Sequence, residues 1–138
     1  MVQVAIEGEL ALKASDIEFQ LPRPSYTIDT LTYLQEKHPG HKFSVIMGSD
    51  SFQNVAKWKN YQRIVEDYDL YVYIRAEFPA QTAGFNRVFI LDAPLLQISA
   101  TRIREYIKQR KSIRFLVPDK VMEEIDSNGY YRWELLVR

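Results

Sequence analysis

The chain has 138 residues, 46% of them hydrophobic and 13% aromatic, which predicts one globular domain over residues 1–138 and excludes intrinsic disorder. Lysine plus arginine and aspartate plus glutamate number 18 each, so net charge provides no general attraction to nucleic acid or to an anionic membrane, and an anion site would have to be local. Cysteine is absent and no apolar run approaches the roughly 20 residues of a membrane span, so we exclude disulfides, thiolate sites and membrane helices and expect a cytoplasmic protein.

The first predicted elements are short. Apolar residues on one face indicate a short helix over residues 1–12, and alternation of apolar with charged residues predicts a strand over residues 16–20. Ser25 or Thr27 is expected to cap the next helix, which ends at the Pro-Gly turn of residues 38–40.

Three almost uninterrupted apolar runs follow, at residues 43–47, 70–74 and 88–91. Runs of this length and composition are typical of buried parallel strands. Helical segments precede the first two runs, and two more helices are predicted at residues 101–109 and 118–125. Strands and helices therefore alternate, and the fold class is α/β with a parallel sheet.

The tetrapeptide His38-Pro39-Gly40-His41 has the spacing H-x-G-H, a phosphate-handling signature of adenylyl-transferring enzymes. It joins a helix to the start of a strand, so it lies at the amino end of the sheet. At about 3.3 Å per residue, His41 would be roughly 23 Å from Gly48 at the opposite end of that strand. We therefore interpret the tetrapeptide as a helix-terminating turn.

Ligands of open α/β sheets bind at the carboxyl ends of the strands. Asp50 and Arg75 lie just after the first two apolar runs. Asp50 could accept hydrogen bonds from a ribose or could cap the next helix, and Arg75 could pair with a phosphate or with a surface carboxylate. Trp58 could stack on an aromatic base or pack under a loop.

The segment after the third run forms another candidate site. Ser99 is placed to cap a helix that begins near Ala100. The free N–H groups of that first turn and the hydroxyls of Ser99 and Thr101 would converge on one point, which suits an anion. Arg102 and Arg104 lie in the same turn, where a bound phosphate would offset their unfavourable interaction with the helix dipole. The alternative is an ordinary cap with two solvated arginines.

With these segments in view, nearly the whole chain resembles the bacterial nicotinate-nucleotide adenylyltransferases. The resemblance is carried, in order, by PSYTIDTL at 24–31, MGSDS at 47–51 with Trp58, YIR at 73–75 and ISATRIR at 98–104, followed by VPDKV at 117–121 and NGYY at 128–131. It implies a Rossmann-like nucleotidyltransferase fold.

The resemblance also implies an activity, which is transfer of the adenylyl group of ATP to nicotinate mononucleotide. The products are deamido-NAD and pyrophosphate, with Mg²⁺ accompanying ATP and no covalent enzyme intermediate. By the same resemblance, the nicotinate nucleotide is bound by Thr27, Trp58 and Arg75, with Asp50 near a ribose.

The ATP side of the implied site lies in the last large motif. By resemblance, Ile98, Ser99, Thr101 and Arg104 bind ATP, and Ser99, Thr101 and Arg104 act on its phosphates during catalysis. We predict no metal site built from protein side chains.

The sequence departs from the family pattern at three places. Ala100 replaces the second serine of the usual I-S-S-T, and Lys59 stands where an aromatic residue often follows the tryptophan. The family's opening strand and helix, with G-x-F-D-P-x-H-x-G-H, are not in this sequence, so its two ATP-handling histidines are missing. His38 and His41 cannot replace them because of their place in the sheet.

The third departure has structural and functional consequences. In a sheet of order 3-2-1-4-5, loss of the first strand-helix units would expose the apolar edge of residues 43–47. We therefore expect either a homo-oligomer formed through that edge or the remainder of a longer polypeptide. Two further functions stay open, namely a related adenylyltransferase for nicotinamide mononucleotide and a catalytically inert nucleotide-binding module.

Overall fold

The computed structural model describes residues 1–95 and 97–132, and the chain divides into two compact units. The sheet unit comprises Asp16–Gln97, and the helical unit comprises Met1–Ser15 together with Ile98–Arg138. The single domain expected from composition stays a prediction. No helix in the described part of the chain is long and apolar enough to cross a membrane.

The elements follow one another in an α/β order. They are α1 (Val2–Ala5), α2 (Ile17–Gln20), α3 (Thr27–Lys37), β1 (Ser44–Gly48), α4 (Ser49–Phe52), a 3-10 turn (Val55–Lys57), α5 (Tyr61–Asp67), β2 (Asp69–Tyr73), β3 (Val88–Leu91), α6 (Ala100–Lys108) and α7 (Asp119–Asn128).

The three strands form one parallel sheet in the order β1-β2-β3. β3 has the bounds predicted from the sequence, and β1 and β2 are each displaced by one residue. The register places Gly48 opposite Tyr73, so the carboxyl ends of β1 and β2 lie side by side. The predicted parallel α/β fold is confirmed. The segments that follow β1 and β2 therefore start next to each other at one edge of the sheet.

Burial differs among the strands, which corrects the expectation that all three are buried. Leu70 and Val72 of β2 are fully buried, whereas Ile46 of β1 is 74% exposed and Phe89 of β3 is 44% exposed. The central strand has a neighbour on each side, but β1 and β3 are the edges of the described sheet. A homo-oligomer formed through β1 stays a prediction.

Residues 17–20 form the helix α2, where a strand was predicted over residues 16–20. The N–H of Phe19 donates to the carbonyl oxygen of Asp16, and the Phe19 side chain is 78% exposed. A four-residue alternation of apolar and charged residues also fits one turn of helix. A helical turn satisfies its hydrogen bonds locally, whereas a strand needs a partner strand.

Two other predictions about helix ends were wrong. The first helix occupies only Val2–Ala5 and is followed by a turn with Gly8 at a φ of 90°. The N-cap of α3 is Tyr26, and it makes no side-chain capping bond, so neither Ser25 nor Thr27 caps this helix. Thr27 is instead the first helical residue, so its backbone has helical angles and it cannot be the cap.

Each unit has its own apolar core. In the sheet unit, the buried cluster consists of Ile28, Met47, Phe52, Val55, Ile64, Leu70 and Val72. In the helical unit, it consists of Ile107, Ile113, Val121 and Ile125. The helix α7 ends at Asn128 and is followed by Gly129, whose φ of 63° is left-handed and favours glycine.

The turn between α3 and β1 agrees with its interpretation as a helix terminator. α3 ends at Lys37, and the N–H of His41 donates to the carbonyl oxygen of His38. The rings of His38 and His41 lie 5.4 Å apart and pack near Phe43. Both histidines therefore lie at the amino end of β1, as expected.

Asp69 begins β2 at the same end of the sheet and forms ion pairs with two basic side chains. Its carboxylate contacts Nζ of Lys42 at 2.6 Å and the Arg87 guanidinium at 2.9 Å, and its side chain is 12% exposed. The hydrogen bond from Lys42, with the charge of Arg87, holds the pKa of Asp69 below its ordinary value despite partial burial, which acts in the opposite direction. The ionised carboxylate is therefore the form that stabilises the fold.

We expect Asp69→Asn to lower the thermal midpoint at neutral pH and to reduce its dependence on pH. A lowered native pKa adds stability above the unfolded value of about 3.9, and this stability is lost as the pH falls through the native pKa. Thermal melts from pH 7 to pH 2 should thus show a difference in thermal midpoint between the unaltered chain and Asp69→Asn that becomes smaller as the pH falls. Asp67→Asn, which removes an exposed ion pair to Arg63 at 3.6 Å, is the matched control. A difference in thermal midpoint that does not change with pH would contradict the expectation.

Candidate functional site

Ser49 joins the carboxyl ends of β1 and β2. It is fully buried, and its Oγ accepts a hydrogen bond of 2.9 Å from the backbone N–H of Arg75. Ser49 directly follows β1, and Arg75 lies two residues beyond β2. The bond fixes the backbone of Arg75 beside the start of α4.

Asp50 and Arg75 meet at this edge of the sheet. Nη1 of Arg75 lies 3.6 Å from Oδ2 of Asp50, and the two side chains are 40% and 37% exposed. A guanidinium has five N–H donors, so pairing with one carboxylate leaves donors for an anion, while the carboxylate can still accept from hydroxyl groups. The pair can therefore receive a ligand that carries both hydroxyls and a phosphate.

Gly48 allows the Asp50 side chain to lie against the end of β1. A Cβ at position 48 would overlap Oδ1 of Asp50 and would lie 3.3 Å from Cδ of Arg75. The Gly48 backbone is extended, with φ −74° and ψ 154°, which other residues also adopt. The glycine is required here for close approach and not for backbone conformation.

Trp58 follows the 3-10 turn and is half-buried. It packs against the core cluster of the sheet unit, so the packing role considered in the sequence is present. Part of the side chain remains accessible, which leaves surface for a ligand. Its backbone is held by N–H donation from Trp58 to Val55 and from Tyr61 to Trp58, and Asn60 between them is left-handed, with a φ of 51°.

A charged contact that the sequence analysis did not find joins the Trp58 loop to the start of α3. Nζ of Lys59 lies 3.0 and 2.8 Å from the two carboxylate oxygens of Asp29. It also lies 4.7 Å from the centre of the Tyr26 ring. The partners are 30 residues apart, so no local sequence pattern indicates the pair. Tyr26 and Asp29 flank Thr27, the half-buried residue that begins α3.

The predicted cap of α6 is confirmed in the helical unit. Ser99 has extended backbone angles, and its Oγ accepts from the N–H of Arg102 at 3.2 Å. Nη2 of Arg104 lies 3.4 Å from Oγ1 of Thr101, so these two side chains are neighbours on the first turns of the helix. Ile98, just before the cap, is 37% exposed.

The two arginines of this turn have different partners. The Nε of Arg102 donates to the hydroxyl of Tyr106 at 3.1 Å, and its guanidinium lies 5.6 Å from the centre of that ring. The contact with Tyr106 raises the pKa of Arg102. Arg104 makes no contact with Tyr106 among those described and instead lies beside Thr101. Arg104 is therefore the better placed of the two for an anion at the start of α6.

The structure thus brings the predicted residues together in local groups. In the sheet unit, Asp50 pairs with Arg75, and the Trp58 loop is tied to the residues that flank Thr27. In the helical unit, Ser99, Thr101 and Arg104 share the start of α6. Within residues 1–95 and 97–132, no group of three or more His, Cys, Asp or Glu side chains could hold a metal ion.

Comparison with known proteins gives consistent matches. A cytidylyltransferase-like family model matches residues 1–106. A probable nicotinate-nucleotide adenylyltransferase from Flavobacterium johnsoniae is 45% identical over 135 residues, covering 96% of this chain and 70% of the relative. One from Cytophaga hutchinsonii is 49% identical over 135 residues, covering 95% and 69%.

Two solved structures have the same fold. A putative nicotinate-nucleotide adenylyltransferase from Vibrio parahaemolyticus matches with a TM-score of 0.69 and 22% identity over 97% of this chain and 69% of that one. Plasmodium falciparum nicotinic acid mononucleotide adenylyltransferase, solved with NaAD, matches with a TM-score of 0.66 and 20% identity over 78% of this chain and 57% of that one. At these identities the structures support the Rossmann-like nucleotidyltransferase fold alone.

Proposed function

Because this chain belongs to the family of nicotinate-nucleotide adenylyltransferases, we propose that it transfers the adenylyl group of ATP to nicotinate mononucleotide. An oxygen of the mononucleotide phosphate attacks the α-phosphorus of ATP, the bond to the β-phosphate oxygen breaks, and pyrophosphate leaves. The product is deamido-NAD. The observation that carries the proposal is the identity of 45 to 49% with relatives of this name along almost the whole chain.

We assign the mononucleotide to residues of the sheet unit. Asp50 would accept hydrogen bonds from ribose hydroxyls, and Arg75 would use its remaining donors on the phosphate. The aromatic face of Trp58 would stack on the pyridine ring, with Thr27 beside it. The pairing of Asp50 with Arg75 supports this assignment because it orients both side chains before a ligand arrives. The bond to Ser49 adds support because it fixes the Arg75 backbone.

We assign the ATP phosphates to the start of α6. The first N–H groups of a helix have no acceptor within it and carry partial positive charge, which favours an anion. Ser99 Oγ accepts from Arg102, but its own hydroxyl hydrogen is available to a phosphate oxygen. The Thr101 hydroxyl and the Arg104 guanidinium would add donors, and Ile98 would contact the nucleotide. These groups would stabilise charge that develops on the phosphates during an in-line displacement.

Mg²⁺ would accompany ATP. In nucleotide sites this ion is held mainly by substrate phosphates, with one or two carboxylates and water. When bound, the ion neutralises phosphate charge. The cytoplasmic location stays a prediction.

Pyrophosphate release, measured with ATP and either nicotinate or nicotinamide mononucleotide, tests the proposed reaction. Turnover with the acid and little with the amide is the expected result. Preference for the amide would favour the related adenylyltransferase. Binding of the mononucleotide without turnover in either case would indicate a nucleotide-binding module and contradict the proposed activity.

We expect Gly48→Ala to weaken mononucleotide binding about tenfold while the thermal midpoint changes little. The new methyl group would displace the Asp50 carboxylate and press on Arg75, but the atoms that must move are at the ends of mobile side chains. Loss of one good charged hydrogen bond is worth about 1.5–3 kcal/mol, and the lower end of that range corresponds to roughly tenfold in affinity. Calorimetric titration measures the affinity, and a thermal melt measures the thermal midpoint. Gly40→Ala is the control, because a Cβ at that position meets no atom within 4 Å. Unchanged affinity would remove this pair from the binding site.

A further inference from the structure

The ammonium of Lys59 joins two segments that the proposed function uses together. It contacts both carboxylate oxygens of Asp29, at 2.8 and 3.0 Å, and lies 4.7 Å from the centre of the Tyr26 ring. We refer to Tyr26, Asp29 and Lys59 as the clamp. The lysine thus contacts Tyr26, just before Thr27, and Asp29, two residues after it, and it directly follows Trp58 in the chain.

Among the described hydrogen bonds, the others made by the backbone around Trp58 are short-range. Trp58 donates to Val55 and accepts from Tyr61, and Asn60 has the less common left-handed conformation. The contact of Lys59 with Asp29 is the described hydrogen bond that ties this turn to α3. It therefore restricts where the Trp58 ring can lie relative to Thr27.

We propose that Lys59 and Asp29 are positioning residues for the mononucleotide site, which they preorganise by holding the Trp58 loop against the start of α3. This inference rests on the proposed function. Ordering a loop before the ligand arrives increases affinity, because the ligand no longer provides the free energy needed for ordering. The clamp itself would not touch the reacting atoms.

The size of the effect follows from the exposure of the clamp. Both charged side chains are more than two-fifths exposed, and exposed ion pairs and exposed cation–π contacts are individually weak. Together they predict that Lys59→Met weakens nicotinate mononucleotide binding about three- to tenfold. ATP binding should be unchanged, since the clamp belongs to the sheet unit.

Calorimetric titration of the chain with nicotinate mononucleotide, and separately with ATP, tests the inference. Lys57→Met is the matched control, because it removes the same charge on the other side of Trp58 and Lys57 contacts only Asn54, within its own turn, among the described hydrogen bonds. Lys59→Arg should restore most of the affinity, since arginine keeps the charge and also stacks on aromatic rings. The difference between Lys59→Met and the unaltered chain should shrink as salt screens the ion pair.

Asp29→Asn separates positioning from direct recognition. If the lysine acts through the clamp, Asp29→Asn weakens mononucleotide binding as Lys59→Met does. If Lys59 instead binds the mononucleotide carboxylate directly, Asp29→Asn frees the ammonium and affinity stays equal or rises, which overturns the inference. If Lys59→Met and the unaltered chain bind the mononucleotide with equal affinity, the positioning role of the clamp is overturned and the proposed function is not affected. Failure of the unaltered chain to bind the mononucleotide overturns the proposed function and the inference together.

Discussion

Replacing Arg104 with alanine is expected to weaken ATP binding by roughly 10- to 150-fold, because a hydrogen bond between charged groups contributes about 1.5–3 kcal/mol. The Arg104 guanidinium lies beside Thr101 on the first turns of α6, and in the proposed assignment it would contact a phosphate at the helix N–H groups. Calorimetric titration with ATP and Mg²⁺ measures the change. Mononucleotide affinity serves as an internal reference, since its proposed residues are in the sheet unit.

Arg102→Ala provides the comparison for this result. It removes the same charge from the same turn, but the Arg102 guanidinium is engaged by the hydroxyl and ring of Tyr106. We therefore expect a clearly smaller loss of ATP affinity and a smaller change in its salt dependence. Equal losses in the two variants would mean that only the net charge of the turn matters, and equal binding by Arg104→Ala and the unaltered chain would remove Arg104 from the phosphate site.

Trp58→Ala should weaken nicotinate mononucleotide binding by about 1–3 kcal/mol, or roughly 5- to 150-fold, by analogy with bases stacked on aromatic side chains. The ring is half-buried against the core of the sheet unit, so this variant should also lose stability. Titration with the mononucleotide must therefore be done at a temperature well below the thermal midpoint of the variant.

Trp58→Phe distinguishes stacking from packing. Phenylalanine keeps an aromatic face with less area, so we expect most of the mononucleotide affinity to return, while the thermal midpoint recovers in part. An affinity that is the same in the unaltered chain, Trp58→Phe and Trp58→Ala would leave the tryptophan with a packing role alone.

The strands show which parts of the fold are encoded locally. The run VFIL predicted β3 at its observed bounds, and FSVIM and LYVYI placed β1 and β2 to within one residue. Short runs rich in β-branched and aromatic residues favour a strand through the preferences of neighbouring residues. The segment around Phe19 was assigned wrongly, since four alternating residues fit a strand and a single helical turn equally well.

The residues of the candidate site likewise differ in how far the sequence alone predicts their contacts. Ser99 as the cap of α6 follows from a local pattern, and the structure confirms it. Asp50 and Arg75 could be placed at one edge of the sheet by the topology of parallel strands, but their 3.6 Å contact depends on Gly48 and on the buried Ser49 hydroxyl. The contact of Lys59 with Asp29 could not be found, because neither local spacing nor strand order relates two charges 30 residues apart.

By itself, the amino-acid sequence determined the α/β class, the parallel strands, the cap at Ser99 and the motifs by which the family is identified, since each depends on neighbours along the chain or on the periodicity of short segments. Only the tertiary structure decided that β2 is the buried strand and that Lys59 reaches Asp29. These features depend on which distant surfaces pack together. Burial and ion pairing are properties of that packing, and a short sequence pattern is compatible with more than one outcome.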